Sequence, residues 1–277
     1  MLPGEGERKL PMTNRQIVKY LRVWFKLATL AFKIDLSNRF TAAFAITGKA
    51  VRFFFFLGFL FLLVDRTKTL AGFNLSQVVF FFLTFNLIDI LIQFFLRGVY
   101  HFRGQIVSGD FDLVLVKPIN PLFRSLSERI DVYDLMTLIA LIIYMMIFLS
   151  TGQITITLGG VVLYLLLIIS SFVIGLAFHI GVMAVGILTT EVDNVIMIYR
   201  DLSAMGRVPI DIYQEPLRTF LTIIVPIAVL MTFPAKALMG LLSWQWVIFS
   251  FVISGVFLFG SLRFWKYALT QYSSASS

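Results

Sequence analysis

Four polar residues interrupt one long apolar run: Asn86, Asp89, Gln93 and Arg97. Their spacing of three, four and four puts them on one face of a helix. A carboxylate inside hydrocarbon costs at least ~2.5 kcal/mol unless it is paired or wetted. A face carrying Asn86, Asp89 and Gln93 suits a substrate path or a mobile seam between subunits. It equally suits static bonds to a neighbouring span. Arg52, in the preceding apolar run, is the candidate partner for the carboxylate. Asp89 lies ~12 Å inside the boundary marked by Arg97 at ~1.5 Å per residue, and Arg52, counted back from Val64, reaches the same depth in a core of ~30 Å. Opposite charges at equal depth on consecutive spans predict an Arg52–Asp89 pair. The alternative is that Arg52 snorkels to the headgroups.

The other reactive residue types converge on less. The only two histidines, His101 and His179, are far apart, and zinc needs three or four convergent ligands. Gly48-Lys49 is the nearest approach to a phosphate-binding loop. Ala43 stands where its first glycine belongs, and Ala50 where Ser or Thr belongs. ATP binding by that route is excluded. No Ser/His/Asp set is recognisable, and cysteine is absent, so no disulfide forms. The chain reads as non-enzymatic, with no cofactor of its own.

A second polar stretch, 97–123, separates two apolar runs. It contains the turn Ser108-Gly109-Asp110, the apolar piece 111–116, then Lys117-Pro118 and Asn120-Pro121. Asp110 suits an N-cap, since its carboxylate can accept the free amides of a first turn. Asp112 then sits near the positive end of a helix dipole, Lys117 near the negative end, and Pro118 stops the helix. The expected element is a helix of about two turns over 110–117, with Phe111, Leu113 and Leu115 as apolar anchors. So delimited an element between spans fits a partner that pushes on them.

Composition names the setting. Of 277 residues, 59% are hydrophobic and 14% charged, and the mean hydropathy is +0.91. A soluble domain needs more polar surface than that. The fold class expected is an all-α polytopic membrane protein. Residues 1–13 read as disordered. Residues 14–40 read as an amphipathic helix in the membrane interface, with Ile17, Tyr20, Leu21, Trp24, Leu27 and Ala28 at helical spacing between lysines and arginines. A helix packed on the protein itself is the alternative. Six spans are expected within one membrane domain of 41–268: about 46–64, 77–96, 132–149, 157–188, 217–233 and 244–262. The fourth is too long for a perpendicular crossing. Its small residues Ser170, Ala177, Gly181 and Ala184 form a packing face. Residues 234–242 read as a re-entrant segment before the last span, and 269–277 as a flexible tail. With the amino end inside, all Lys and Arg except Arg66, Lys68 and Lys236 fall on the inner side, including Arg200, Arg207 and Arg218. Both ends and the 97–131 connection are then cytoplasmic. The +8 net charge records that topology, and no nucleic-acid partner is expected.

Six spans, an amphipathic leader, a dipping segment before the last span and a capped inner helix together resemble the permease subunit of an ABC-2 type ABC transporter. The stretch 109–123 resembles the central motif of a bacterial subfamily of these permeases. Gly206-Arg207-Val208-Pro209-Ile210-Asp211-Ile212-Tyr213, Pro226 and Phe233-Pro234-Ala235 resemble its later motifs. The resemblance covers nearly all of the chain after the leader. It implies a coupling helix that docks on a separate ABC ATP-binding subunit, carried by Gly109, Asp110, Phe111, Asp112, Leu113, Leu115, Lys117, Pro118, Asn120 and Pro121. It implies ATP and Mg in that partner and a second permease subunit, identical or homologous. It also implies export across a bacterial cell (inner) membrane. A secondary transporter would show paired halves with interrupted helices. A lipid-modifying enzyme would show an interfacial cluster of His, Asp or Glu. Neither pattern is present.

Overall fold

A computed structural model describes residues 14–37 and 39–273. The expectations for residues 1–13 and for the last four residues lie outside that range. Every described element is helical. The first are α1 (Asn14–Ser37), α2 (Arg39–Thr67), α3 (Leu75–Leu96), α4 (Val99–Ser108), α5 (Asp110–Leu115) and α6 (Pro121–Leu126). Then come α7 (Val132–Ser150), α8 (Leu158–Thr189) and α9 (Val192–Ala204). A bent pair follows, α10 (Leu217–Ile224) and α11 (Ala228–Leu238), and α12 (Trp244–Gln271) closes the chain. The all-α polytopic class holds: α2, α7, α8, α12 and α3 with its continuation are long and apolar enough to cross a membrane.

Local sequence sets the boundaries. Asn74 and Gln77 form a reciprocal capping box at the start of α3. Asp131 accepts the Tyr133 and Asp134 amides at the start of α7. Thr157 accepts the Gly160 amide at the start of α8, which then runs 32 residues without a break. At ~1.5 Å per residue that is ~48 Å, so α8 crosses at a tilt or projects beyond the core. Three of its four small residues pack as expected: Ser170, Ala177 and Ala184 are buried, and Ser170 donates to the Ser250 carbonyl of α12 at 3.1 Å, whereas Gly181 is half-buried and a Cβ on it would meet no neighbouring helix.

The fifth crossing departs from expectation. Residues 217–233 do not form a straight span. They belong to the bent pair, which turns through 78° at Val225-Pro226-Ile227 and absorbs most of the expected 234–242 segment. Arms of 8 and 11 residues reach ~12 and ~17 Å, too short to cross alone. The α11 arm lies in one half of the bundle. Ser171, midway along α8, donates to Val229 at 3.2 Å, and Leu238 lies against Gly160 at the start of α8. The crossing is made instead by 192–212. Val192 packs on Gly186, and Tyr199 on His179 and Phe178 at 4.9 and 5.3 Å, so α9 runs antiparallel to α8. Farther on, the Arg207 guanidinium stands 5.8 Å above both Phe56 of α2 and Phe85 of α3. Asp211 then pairs with Lys236 at 2.7 Å, and the Lys236 ammonium lies over Phe73, just ahead of α3. The segment therefore travels from the α5 end of the bundle to the opposite end. Arg200, exposed, and Arg207, half-buried, line a cleft beside α2 and α3, and Arg218, paired with Glu215 at 2.9 Å, belongs to the bent pair. The inner-loop assignment of all three is corrected. Charge explains the misreading: 192–211 carries Asp193, Arg200, Asp201, Arg207 and Asp211, and hydropathy scores it as a loop.

At the amino end α1 combines the two readings of it, and the carboxyl end differs from expectation. Tyr20, Trp24, Ala28 and Ala31 of α1 pack on the protein, against Phe123, Phe94 and Ile130, while Ile17, Leu21 and Phe25 remain exposed. The apolar residues are thus divided between two faces, one for the protein and one outward. At the other end α12 continues to Gln271, and Tyr272 is hydrogen-bonded, so 269–272 is not a free tail.

The chain contains no cysteine, so single-cysteine labelling reads the topology directly. With 192–212 crossing, Glu215→Cys and Val116→Cys are expected to react with an impermeant maleimide from opposite sides of the membrane. Labelling of both from the same side would restore 217–233 as the fifth span.

Candidate functional site

The stretch 97–131 folds into three short helices at one end of the bundle, and two glycines permit it. A Cβ on Gly98 would lie 2.1 Å from the Ser125 carbonyl and 2.6 Å from that of Leu126, so only glycine lets α6 end against the start of α4. Gly109 takes the left-handed conformation, φ 78°, and serves as both the last cap of α4 and the first of α5. Asp110 is therefore the first residue of the helix and not its N-cap. Its carboxylate accepts from the Ser108 hydroxyl at 2.7 Å. The helix spans six residues and ends at Leu115, short of Lys117.

Expectation for its side chains is partly reversed. Phe111 is wholly buried, packed on Phe102 of α4 at 5.2 Å, Trp265 of α12 at 6.3 Å and Tyr272 at 5.2 Å. It anchors α5 to its own bundle and presents nothing to a partner. Leu113 is 59% and Val116 80% exposed; Leu115 and Val107 are exposed beside them. Asp112 accepts from the Tyr272 hydroxyl at 2.9 Å. Burial, then the Asp112 carboxylate, pushes the Tyr272 phenol up to about 12. That hydroxyl therefore stays protonated, and donating, throughout the physiological range.

Beyond Pro118 lies a helix that the stop signal concealed. Asn120 accepts the Leu122 and Phe123 amides, and Pro121 fills the first helical position of α6. That pairing is itself a helix start signal. α1 clasps this joint from outside. Lys19 donates to the Pro118 carbonyl at 2.6 Å, the Asn120 amide donates to the Tyr20 hydroxyl at 3.2 Å, and Tyr20 meets Phe123 edge-on at 4.8 Å. α4, invisible in the sequence as a helix, ties to α9 through Arg103 and Asp193 at 3.7 Å.

The polar stripe of α3 divides. Asn86 donates to the Phe82 carbonyl of its own helix at 2.7 Å. Gln93 donates to the Tyr100 hydroxyl at 3.0 Å and accepts from Arg97 at 3.4 Å. Asp89 alone opens into a cleft shared with Arg52, Arg200, Asp201 and Arg207. Arg52 and Asp89 thus meet at one cleft, yet no ion pair joins them within 4.0 Å. The carboxylate that does pair with α2 comes from α7: Lys49 lies 2.5 Å from Asp134 and 3.7 Å from Asp131, and Asp131 also lies 3.5 Å from Arg97. Matching depths could not reveal which helix faces which. His101 and His179 stay apart. His179 is buried, with Nδ1 2.8 Å from the Gly175 carbonyl. Among the described residues, no group of three or more His, Asp or Glu side chains is arranged for a metal ion.

The profile of a family described as ABC-2 family transporter protein matches residues 49–276, from within α2 to beyond the end of α12. No curated protein and no solved structure matches the chain.

Two substitutions separate the inward and outward faces of α5. Phe111→Ala is expected to cost about 3–5 kcal/mol, as for a core aromatic. Val116→Ala should stay within about 0.5 kcal/mol. Thermal unfolding in detergent checks both, and equal losses would mean that Phe111 does not sit in the core.

Proposed function

The chain belongs to the ABC-2 family of transporter proteins, and from that premise we propose that it is the permease subunit of an ATP-driven exporter, moved by a separate ABC ATP-binding subunit. The α5 end of the bundle faces the cytoplasm of a bacterial cell, and both chain termini lie on that side. ATP and Mg belong to the partner. A second permease subunit, identical or homologous, completes the membrane unit.

The observation that carries this reading is the build of α5. Its inner side is fixed by Phe111 in an aromatic pocket and by the Asp112–Tyr272 bond. Its outer side leaves Leu113, Leu115 and Val116, with Val107 of α4, as an exposed apolar rim beside Asp110 and Lys117. Apolar residues on a rigid helix at the aqueous end of a membrane bundle are an interaction site in waiting. A partner seated on that rim pushes on α12 through Phe111 and Trp265. It pushes on α1 through Lys19 and Pro118, and on α9 through α4 and Arg103. Gly109, Pro118, Asn120 and Pro121 shape the joint, and Leu113, Leu115 and Val116 make the contact.

The experiment is co-purification with the ATP-binding subunit, followed by ATPase and transport assays in vesicles. The chain alone is expected to hydrolyse no ATP. Leu113→Asp and Val116→Asp should each weaken the assembly about 30-fold, the loss of a contact worth ~2 kcal/mol, with insertion and thermal stability intact. Normal assembly and coupled transport in both variants would remove α5 from the interface.

A further inference from the structure

The cleft at mid-depth has a composition that the bundle itself does not use. It measures about 270 Å³ and lies between α2, α3, α9 and the turn after α9. Three guanidinium groups face it, Arg52, Arg200 and Arg207, with two carboxylates, Asp89 and Asp201. None of the five has an opposite charge within 4.0 Å among the described residues, whereas Lys49, Arg97, Arg129 and Lys236 are all paired. Charges at this depth are costly when left alone. A formal excess of one positive charge is kept where pairing was within the chain's means.

Two of the arginines are held by rings and not by anions. Arg207 stacks over Phe56 and Phe85, and Arg200 lies 6.0 Å from the centre of the Tyr100 ring. A guanidinium lying over a ring still has its N–H edge to donate, an arrangement suited to an oxyanion. Arg52 continues into an apolar track. Phe55 and Phe59 follow it at i+3 and i+7, on the same face of α2, and both are exposed. The volume suits a head group and is small for a whole drug-sized ligand.

We infer that this cleft binds the carboxylate, sulfonate or phosphate head of an anionic amphiphile, with the apolar part of the guest lying along Phe55 and Phe59. The proposed permease function is needed only to call that guest cargo; the site itself stands on its geometry.

The test uses the purified full chain in phosphatidylcholine nanodiscs, with dansyl-undecanoate as probe and fluorescence anisotropy as readout. Its methyl ester and a dansyl-alkyl trimethylammonium serve as neutral and cationic counterparts. The carboxylate is expected to bind saturably, the ester at least tenfold more weakly, and the cation not at all. Arg200→Gln and Arg207→Gln should each weaken the carboxylate about tenfold, or ~1.4 kcal/mol, and the Lys replacements should recover part of the loss. Lys26→Gln on α1, whose basic face also offers a place for anions, should change nothing. Equal binding of ester and carboxylate overturns the proposal, as do Gln variants that keep full affinity. The ester comparison needs no substitution, so it decides even if a variant unfolds. Displacement of the probe by phosphatidylglycerol in the discs names a bilayer lipid as the source of the head. Displacement by added decanoate but not by phosphatidylglycerol names a free amphiphile. No ATPase takes part, so failure of the coupled assays leaves this result standing.

Discussion

Close packing along α8 is the contact on which the rest of the bundle depends. The helix has no charged residue in 32 positions, and helices α3, α4, α9, α11 and α12 lean on it. Lipid supplies no hydrophobic drive for helices to associate, so small residues and short hydrogen bonds must do it. Ser170 and Ser171 reach carbonyls of α12 and α11 on two sides, and Ala177 and Ala184 let the neighbouring backbones close in. Around that axis the polar residues are free to serve the ends and the cleft.

At the α5 end, one aromatic side chain joins local structure to the bundle. Phe111 inserts between α4 and α12, while its neighbours two and five positions on point outward. A helix of six residues is far too short to be stable alone. It exists because the Gly109 turn aims it and the aromatic pocket holds it. The exposed rim is therefore rigid without being buried, which is what transmission of a push requires.

Much of this was legible in the residues. Length and hydropathy marked α2, α3, α7, α8 and α12, because hydrocarbon thickness translates directly into apolar run length. Thr157 marked the start of α8, and the Ser108-Gly109-Asp110 turn marked the start of α5. What escaped was set by neighbours. Which face of α5 turns inward depends on Trp265 and Tyr272, some 150 residues away in the chain. Lys49 pairs with α7 because α2 happens to present that face there, and no depth count contains a helix rotation. α6 was missed at Pro118, although Asn120-Pro121 spells a cap followed by a first-turn proline. The fifth crossing was assigned to the apolar 217–233 because the true one looks like a loop.

That last feature bears on how the protein is made. The insertion machinery tests each emerging segment largely on its own, at roughly 2.5–3.5 kcal/mol for every Asp, Lys or Arg at a helix centre. Residues 192–211 hold five such charges and cannot leave the translocon for lipid unaided. They cross only where α8, α3 and α11 already offer a protein-lined groove. The second half of the chain therefore acquires its topology late and cooperatively. α8 waits in the bilayer as a finished template, and the polar segment threads into place once the bent pair has arrived behind it.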